Sequence, residues 1–209
     1  MKTEMIAAGH GGQGVLELAN WFAYFYLVKG WHVAYTPSYG PETRGGKVKC
    51  YVVVSDERID SPVVEEPDLL VVMNIPSMDF VPLLKKGGTL VVNSSLVKDP
   101  RRRDDVKVVE VPATDIAGSL GKYAPQPGKD TTIAANSVMF GACLAVTGGN
   151  LEAEREHIRT AFAHFLTDRK AAYIPLNIAA VEEGYKAATQ GRAGAKLVSR
   201  PPSLPGLAH

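Results

Sequence analysis

Cysteine is scarce in this chain, and its scarcity excludes two classes of protein. Among 209 residues, Cys50 and Cys143 are the only cysteines. They lie too far apart for a C-x-x-C motif and are too few for a four-cysteine iron–sulfur cluster or a disulfide framework. The composition therefore excludes a self-contained iron–sulfur protein and is typical of a reducing compartment.

The chain also lacks an excess of charge and any long apolar run. Its 23 Lys and Arg residues nearly balance 22 Asp and Glu residues, so the basic excess typical of nucleic-acid binding is missing. The apolar runs fall short of the roughly 20 residues that a membrane span needs, and the stretch MKTEMIAAGHGG has no signal-peptide core. The His residues show no metal-ligand spacing. We therefore expect a cytoplasmic protein that binds no nucleic acid, membrane or metal.

What the sequence does contain is a series of short apolar runs with turn residues between them. The predicted strands are, in order, TEMIAA, WHVAYT, KVKCYVVVS, DLLVVMN, GTLVVNSS and VKVVEV. Apolar residues at helical spacing predict a helix between the first two strands, with Gly30 as its stop. No helix separates the second strand from the third, which we therefore expect to be antiparallel.

From Thr114 onward the pattern changes to helices. Helical segments are predicted near 114–121, 132–146, 151–167 and 176–189. Thr114 or Asp115 is the expected cap of the first, and Ser77 or Asp79 that of a short helix before the fifth strand. The predicted fold is a three-layer, Rossmann-like α/β domain over residues 1–189, with a mostly parallel sheet, a Gly-rich first βα turn and C-terminal helices. Residues 190–209, rich in Pro and Gly, are expected to be a flexible tail.

The stretch GHGGQGV follows the first strand and opens the first helix. Gly9, Gly11 and Gly14 match the G-x-G-x-x-G spacing, and backbone N–H groups at a helix start attract phosphate. The second strand ends in VAYTPSYGP, without the Asp or Glu that takes the ribose hydroxyls of NAD. Plain NAD binding is therefore disfavoured. A glycine turn needed only for helix–sheet packing remains the alternative.

The loop SYGPETRGG, after the second strand, is the other unusual motif. Glu42 and Arg44 can pair with each other as a solvated surface ion pair, or they can contact a partner chain. Asn74 and Asn93 follow the fourth and fifth strands, at the edge of the sheet where the Gly-rich turn lies, and can cap helices or bind a ligand. His10 can contact the same ligand or be merely tolerated there.

Six motifs occur in one order between residues 5 and 187: GHGGQGV, SYGPETRGGKV, SPVVEEPDLLVVMN, GGTLVVNSS, NSVMFGACLAVTG and PLNIAAVEEGY. Together they resemble the gamma subunit, or gamma domain, of the 2-oxoacid:ferredoxin oxidoreductases, nearest to the 2-oxoglutarate and branched-chain 2-oxoacid types. The resemblance implies a multi-subunit enzyme that oxidatively decarboxylates a 2-oxoacid to acyl-CoA and reduces ferredoxin. It further implies that thiamine diphosphate, magnesium and iron–sulfur clusters belong to partner alpha, beta and possibly delta subunits.

The sequence fits a non-catalytic role in that complex. It lacks the G-D-G motif that binds the magnesium-bound diphosphate, and it lacks the set of cysteines that an iron–sulfur cluster needs. The resemblance and the two Gly-rich loops together predict a structural subunit that helps to position coenzyme A and is inactive when isolated. The residues expected to contact coenzyme A are Gly9, Gly11, Gly12, Gln13, Gly14, Ser38, Glu42, Arg44, Gly45, Gly46, Asn74 and Asn93.

Two other functions stay open from the residues alone. The loops can be purely architectural, with Glu42 and Arg44 anchoring the catalytic subunits. The chain can also be a stand-alone Rossmann-type nucleotide-binding protein or an NAD-linked oxidoreductase. One segment departs from the family pattern: KYAPQPGKDTTIAA lengthens the connection between Gly121 and Asn136. The resemblance therefore assigns no role to residues within it.

Overall fold

The computed structural model describes residues 1–39, 46–100 and 103–194. Its centre is a six-stranded sheet in the order β2-β3-β1-β4-β5-β6. The strands are β1 Lys2–His10, β2 His32–Tyr39, β3 Lys47–Ser55, β4 Leu69–Val72, β5 Thr89–Asn93 and β6 Lys107–Val111. All six predicted strands are therefore present.

The sheet is mixed, and β3 is its antiparallel member. Strands β1, β4, β5 and β6 pair in parallel, whereas β3 is antiparallel to both β1 and β2. This confirms the predicted orientation of the third strand. It also means that β1 and β2 are not neighbours, because β3 lies between them. In this register His10 is opposite Lys47, which brings the end of the second loop beside the Gly-rich turn.

One face of the sheet carries all the α-helices. They are α1 Val15–Val28, α2 Ala113–Ser119, α3 Ala135–Val146, α4 Arg155–Phe165 and α5 Ile174–Gly194. Their buried side chains share one apolar cluster with this face, so the C-terminal helices are part of the main core. None of the helices in the described part of the chain is long and apolar enough to cross a bilayer.

A 3₁₀ segment, Ile75–Leu83, covers the other face together with loops. Met78 and Val81 supply its buried apolar side chains. Pro82 lies inside the segment, where it has no N–H to donate and disfavours a regular α-helix. The predicted three-layer α/β fold is confirmed, with the second outer layer formed by this short segment.

The structure corrects both predicted caps. Asn74 caps the 3₁₀ segment, since its side chain accepts a hydrogen bond from the Ser77 N–H at 3.1 Å, so the prediction of Ser77 or Asp79 was wrong. Helix α2 begins at Ala113, and the Asn93 side chain accepts from the Ala113 N–H. A residue distant in sequence thus replaces the local caps predicted for α2.

Two boundaries also differ from the prediction. Helix α4 begins at Arg155 instead of near Leu151, because the Asn150 side chain accepts from the N–H groups of Glu152 and Ala153 and holds a turn there. Helix α5 continues to Gly194, beyond the predicted end at Thr189. The rest of the predicted tail lies outside the described residues, so its flexibility stays a prediction.

Helices α3 and α5 approach so closely that glycine is required at two facing positions. A Cβ atom on Gly141 would lie 2.1 Å from the Val181 carbonyl oxygen of α5. Conversely, a Cβ atom on Gly184 would lie 1.9 Å from the Val138 carbonyl oxygen of α3. Both distances are far below van der Waals contact, and the atoms met belong to backbone. The pair therefore sets the spacing of the two helices.

Candidate functional site

The Gly-rich turn connects the carboxyl end of β1 to the start of α1. Gly12 and Gly14 have φ of 94° and 68°, a region that L side chains rarely adopt, and Gly14 is the residue that caps α1. Gly11 and Gly12 are exposed. The N–H groups of the first turn of α1 have no intrahelical acceptor. The turn thus presents backbone donors and the positive end of a helix dipole at the surface.

Gln13 and Asn74 tie this turn to the end of β4. The Gln13 Oε1 accepts hydrogen bonds from the His10 N–H at 2.8 Å and from the Asn74 Nδ2 at 2.7 Å. The Asn74 Oδ1 in turn accepts from the Ser77 N–H and hydroxyl. Of these side chains, Gln13 and Asn74 were predicted as ligand contacts. In the structure their amide groups build the frame of the turn.

Replacing Gln13 with alanine is expected to lower the free energy of unfolding by about 1–2 kcal/mol, because the Asn74 amide and the His10 N–H lose their acceptor. Gln13→Glu keeps an oxygen at the same reach and is expected to cost less than half as much. Urea denaturation of the two variants beside the wild type measures this. Equal losses in both would show that the Oε1 acceptor is not responsible.

Packing requires glycine at two positions of the turn, Gly9 and Gly14, and the positive φ of Gly14 is a second reason there. A Cβ atom on Gly9 would lie 2.6 Å from the Val15 Cγ2. A Cβ atom on Gly14 would lie 2.1 Å from the Nδ2 of Asn136, which donates to the Gly14 carbonyl oxygen at 3.3 Å. Sequence reasoning did not predict Asn136 as part of the site. Its place at the start of the NSVMFGACLAVTG motif was the available signal.

The second Gly-rich loop meets the first at its C-terminal end. The Gly11 N–H donates to the Gly46 carbonyl oxygen at 3.1 Å. Ser38, near the end of β2, is in register with Lys49 of β3 and so lies at the same edge of the sheet. Glu42, Arg44 and Gly45 lie outside the described residues, and their predicted contacts stay predictions.

Asn93 ends β5 at the predicted edge, but its side chain is completely buried. The Asn93 Oδ1 accepts from the N–H groups of Ser95 and Ala113, and the Nδ2 donates to the Thr114 hydroxyl at 3.0 Å. Both polar atoms therefore serve the fold. Of the two roles that the sequence left open for Asn93, the structure shows the capping one, at the first N–H of α2, and its contact with coenzyme A stays a prediction.

Among the described residues there is neither a reactive thiol nor a cluster of metal ligands. Both cysteines are buried. Burial raises the pKa of Cys50 to about 11 and raises that of Cys143 as well, so both remain protonated and poorly nucleophilic at neutral pH. Within residues 1–39, 46–100 and 103–194, no three His, Cys, Asp or Glu side chains converge as a metal site.

A cleft of about 420 Å³ lies at the far edge of the sheet, between the N-terminus of β1 and residues 55–61. It is at the opposite end of β1 from the Gly-rich turn. The turn itself is an open surface, shaped by backbone donors.

The fold and the Gly-rich turn define a class of protein. It is a mixed α/β domain that presents a Gly-rich βα turn at the carboxyl edge of its parallel strands. Residues 4–187 match the family model described as pyruvate ferredoxin/flavodoxin oxidoreductase. The chain belongs to this family.

Three relatives indicate where in the family the chain falls. The ketoisovalerate oxidoreductase subunit VorA of Methanothermobacter marburgensis is 37% identical over 85% of this chain, which spans only 34% of that protein. The 2-oxoglutarate synthase subunit KorC of the same organism is 36% identical over 71% of this chain and 79% of its own length. The common gamma subunit of the Thermococcus litoralis pyruvate/ketoisovalerate oxidoreductases is 30% identical over 78% of this chain and 88% of its own.

Solved structures agree with this fold. The gamma subunit of a keto/oxoacid ferredoxin oxidoreductase from Geobacter sulfurreducens superposes with a TM-score of 0.71 at 26% identity, covering 90% of this chain and 99% of that one. A Magnetococcus marinus 2-oxoglutarate:ferredoxin oxidoreductase, solved with 2-oxoglutarate, coenzyme A and succinyl-CoA bound, gives a TM-score of 0.73 at 18% identity. That match covers 90% of this chain and 31% of the longer one, and it shows the shared fold alone.

Proposed function

We propose that this chain is the gamma subunit of a 2-oxoacid:ferredoxin oxidoreductase and that its Gly-rich edge helps to position coenzyme A at the interface with the catalytic subunits. The observation that carries the proposal is the family match over residues 4–187. The partners are then the alpha, beta and possibly delta subunits, with ferredoxin acting through the complex. The proposal assigns thiamine diphosphate, magnesium and iron–sulfur clusters to those partners, as the resemblance to the gamma subunits implies.

The geometry of the turn fits the anionic part of coenzyme A. A pyrophosphate suits the exposed Gly12 backbone and the start of α1, where N–H groups and the helix dipole favour negative charge. Bound coenzyme A would supply the thiol that accepts the acyl group. This chain's contribution is to hold the ligand, and because the edge is an open surface, a partner subunit would complete the enclosure.

Changing Gly12 to valine tests this role. The φ of 94° is unfavourable for a β-branched residue, and the added side chain would project into the open space in front of the turn. We expect the assembled complex to bind coenzyme A at least about tenfold more weakly, since the backbone donors are displaced. Arg44→Ala should also weaken binding, through loss of charge. Equilibrium titration of the purified complexes measures both.

Gly87→Val is the matched control. Gly87 has φ of 80° and equally open space, but it precedes β5 at the opposite edge of the sheet. It therefore carries a similar backbone penalty and should leave coenzyme A affinity unchanged. Unchanged affinity in Gly12→Val and Arg44→Ala would contradict the proposal. Weakened assembly with intact affinity in the surviving complex would favour the architectural role.

The rival function is a stand-alone NAD-binding protein, which the family match disfavours. Titration of the isolated chain with NAD separates the two. Tight binding without partner subunits would overturn the gamma-subunit proposal.

A further inference from the structure

A strip of basic side chains lies beside the Gly-rich turn on the face opposite the α-helices. We name His10, Lys47 and Lys49 the basic strip. Side chains alternate along a strand, and the register pairs His10 with Lys47, so these two and Lys49 point to the face of the 3₁₀ segment. We propose that the basic strip binds the 3′-phosphate of coenzyme A, an inference that rests on the proposed function.

The basic strip is held in place by its neighbours. The Lys49 ammonium lies 5.3 Å from the Tyr51 ring centroid and 5.2 Å from that of Phe80, so two aromatic faces hold it. The Lys47 ammonium is 3.5 Å from an Asp79 carboxylate oxygen, and both side chains are more than half exposed. That contact is long and solvated, so it is worth little and a stronger anion can replace it.

Hydroxyl groups from β2 extend the same surface. Ser38 pairs with Lys49, and Thr36 pairs with Tyr51, which places both hydroxyls on the face that carries the lysines. Ser38 is half-buried and Thr36 is exposed. Hydroxyl donors beside ammonium groups are a suitable environment for phosphate oxygens. The 3₁₀ segment borders this surface through Asp79 and Phe80, and Lys47 and Thr36 remain exposed beside it.

The chemistry of the ligand fits the spacing of the two subsites. The Gly11 N–H is bonded to the Gly46 carbonyl oxygen, directly before Lys47, so the turn and the basic strip are adjacent. Lys47 and Lys49 are two residues apart, about 6–7 Å along the strand. In coenzyme A the pyrophosphate and the 3′-phosphate are attached to one ribose, so their two sites must be adjacent. A phosphate monoester carries a charge of about −1.5 to −2 at neutral pH, which favours a pair of ammonium groups.

Dephospho-coenzyme A differs from coenzyme A by the 3′-phosphate alone and isolates the contribution of the basic strip. For the assembled complex with Lys47→Gln and Lys49→Gln combined, we expect about tenfold weaker binding of coenzyme A, and less than about twofold weaker binding of dephospho-coenzyme A. Titration calorimetry of both ligands measures this without turnover. Raising the salt concentration should reduce the wild-type preference for coenzyme A, since the contact is ionic.

Lys107→Gln is the control, because Lys107 is exposed at the start of β6, at the opposite edge. It should leave both affinities unchanged. If the double variant loses affinity for both ligands equally, or for neither, the basic strip does not bind the 3′-phosphate. Gly12→Val separates the two proposals. If it weakens the binding of both ligands while the Lys47→Gln, Lys49→Gln double variant weakens the binding of neither, the proposed function stands and this inference fails. If neither change alters affinity, both fail.

Discussion

Gly184→Ala is expected to lower the free energy of unfolding by at least about 3 kcal/mol, although it adds only one methyl group. The new Cβ atom would lie 1.9 Å from the Val138 carbonyl oxygen, where no rotamer change can relieve the overlap. Helices α3 and α5 would have to separate, and the core between them would lose contacts. Gly141→Ala should act in the same way against the Val181 carbonyl oxygen.

Gly121→Ala provides the control for this prediction. No atom lies within 4 Å of a Cβ on Gly121, whose φ is not in the positive region. Its effect should stay within about 0.5 kcal/mol. Denaturant unfolding of the three variants gives the comparison. A Gly184→Ala protein as stable as Gly121→Ala would contradict the close approach of α3 and α5.

Asn93→Ala is expected to cost about 3 kcal/mol. The side chain is completely buried, and its loss leaves the buried Ala113 N–H without an acceptor, together with a cavity at the end of β5. The Thr114 hydroxyl loses its donor as well. Helix α2 should fray at its first turn, which amide hydrogen exchange would detect near Ala113.

Asn150→Ala is the matched control, because Asn150 also accepts two backbone N–H groups but is exposed. Water can replace these hydrogen bonds, so the expected cost is at most about 1 kcal/mol. Thermal and urea unfolding of both variants give the difference. Similar losses would mean that burial does not govern the role of Asn93.

The sequence predicted those parts of the molecule that depend on local pattern. Short apolar runs between turn residues predicted all six strands, and the missing helix between β2 and β3 predicted an antiparallel third strand. Helix boundaries were predicted less well, because Asn150 and Asn93 set them through hydrogen bonds outside the helical pattern. Gln13, Asn74 and Asn93 were predicted as ligand contacts, since an amide at a strand end can bond a ligand or the chain itself. Their bonding partners decide between these roles, and the partners become visible only in the folded chain.

The sequence by itself determined the family, the fold class and the Gly-rich turn, because each rests on residue types in a fixed order along the chain. The tertiary structure decided which side chains face one another. It brought Asn136 to Gly14 and Gly46 to Gly11, and it aligned Lys47 and Lys49 beside His10. Such contacts depend on strand register and helix spacing, which are set by packing between segments distant in sequence.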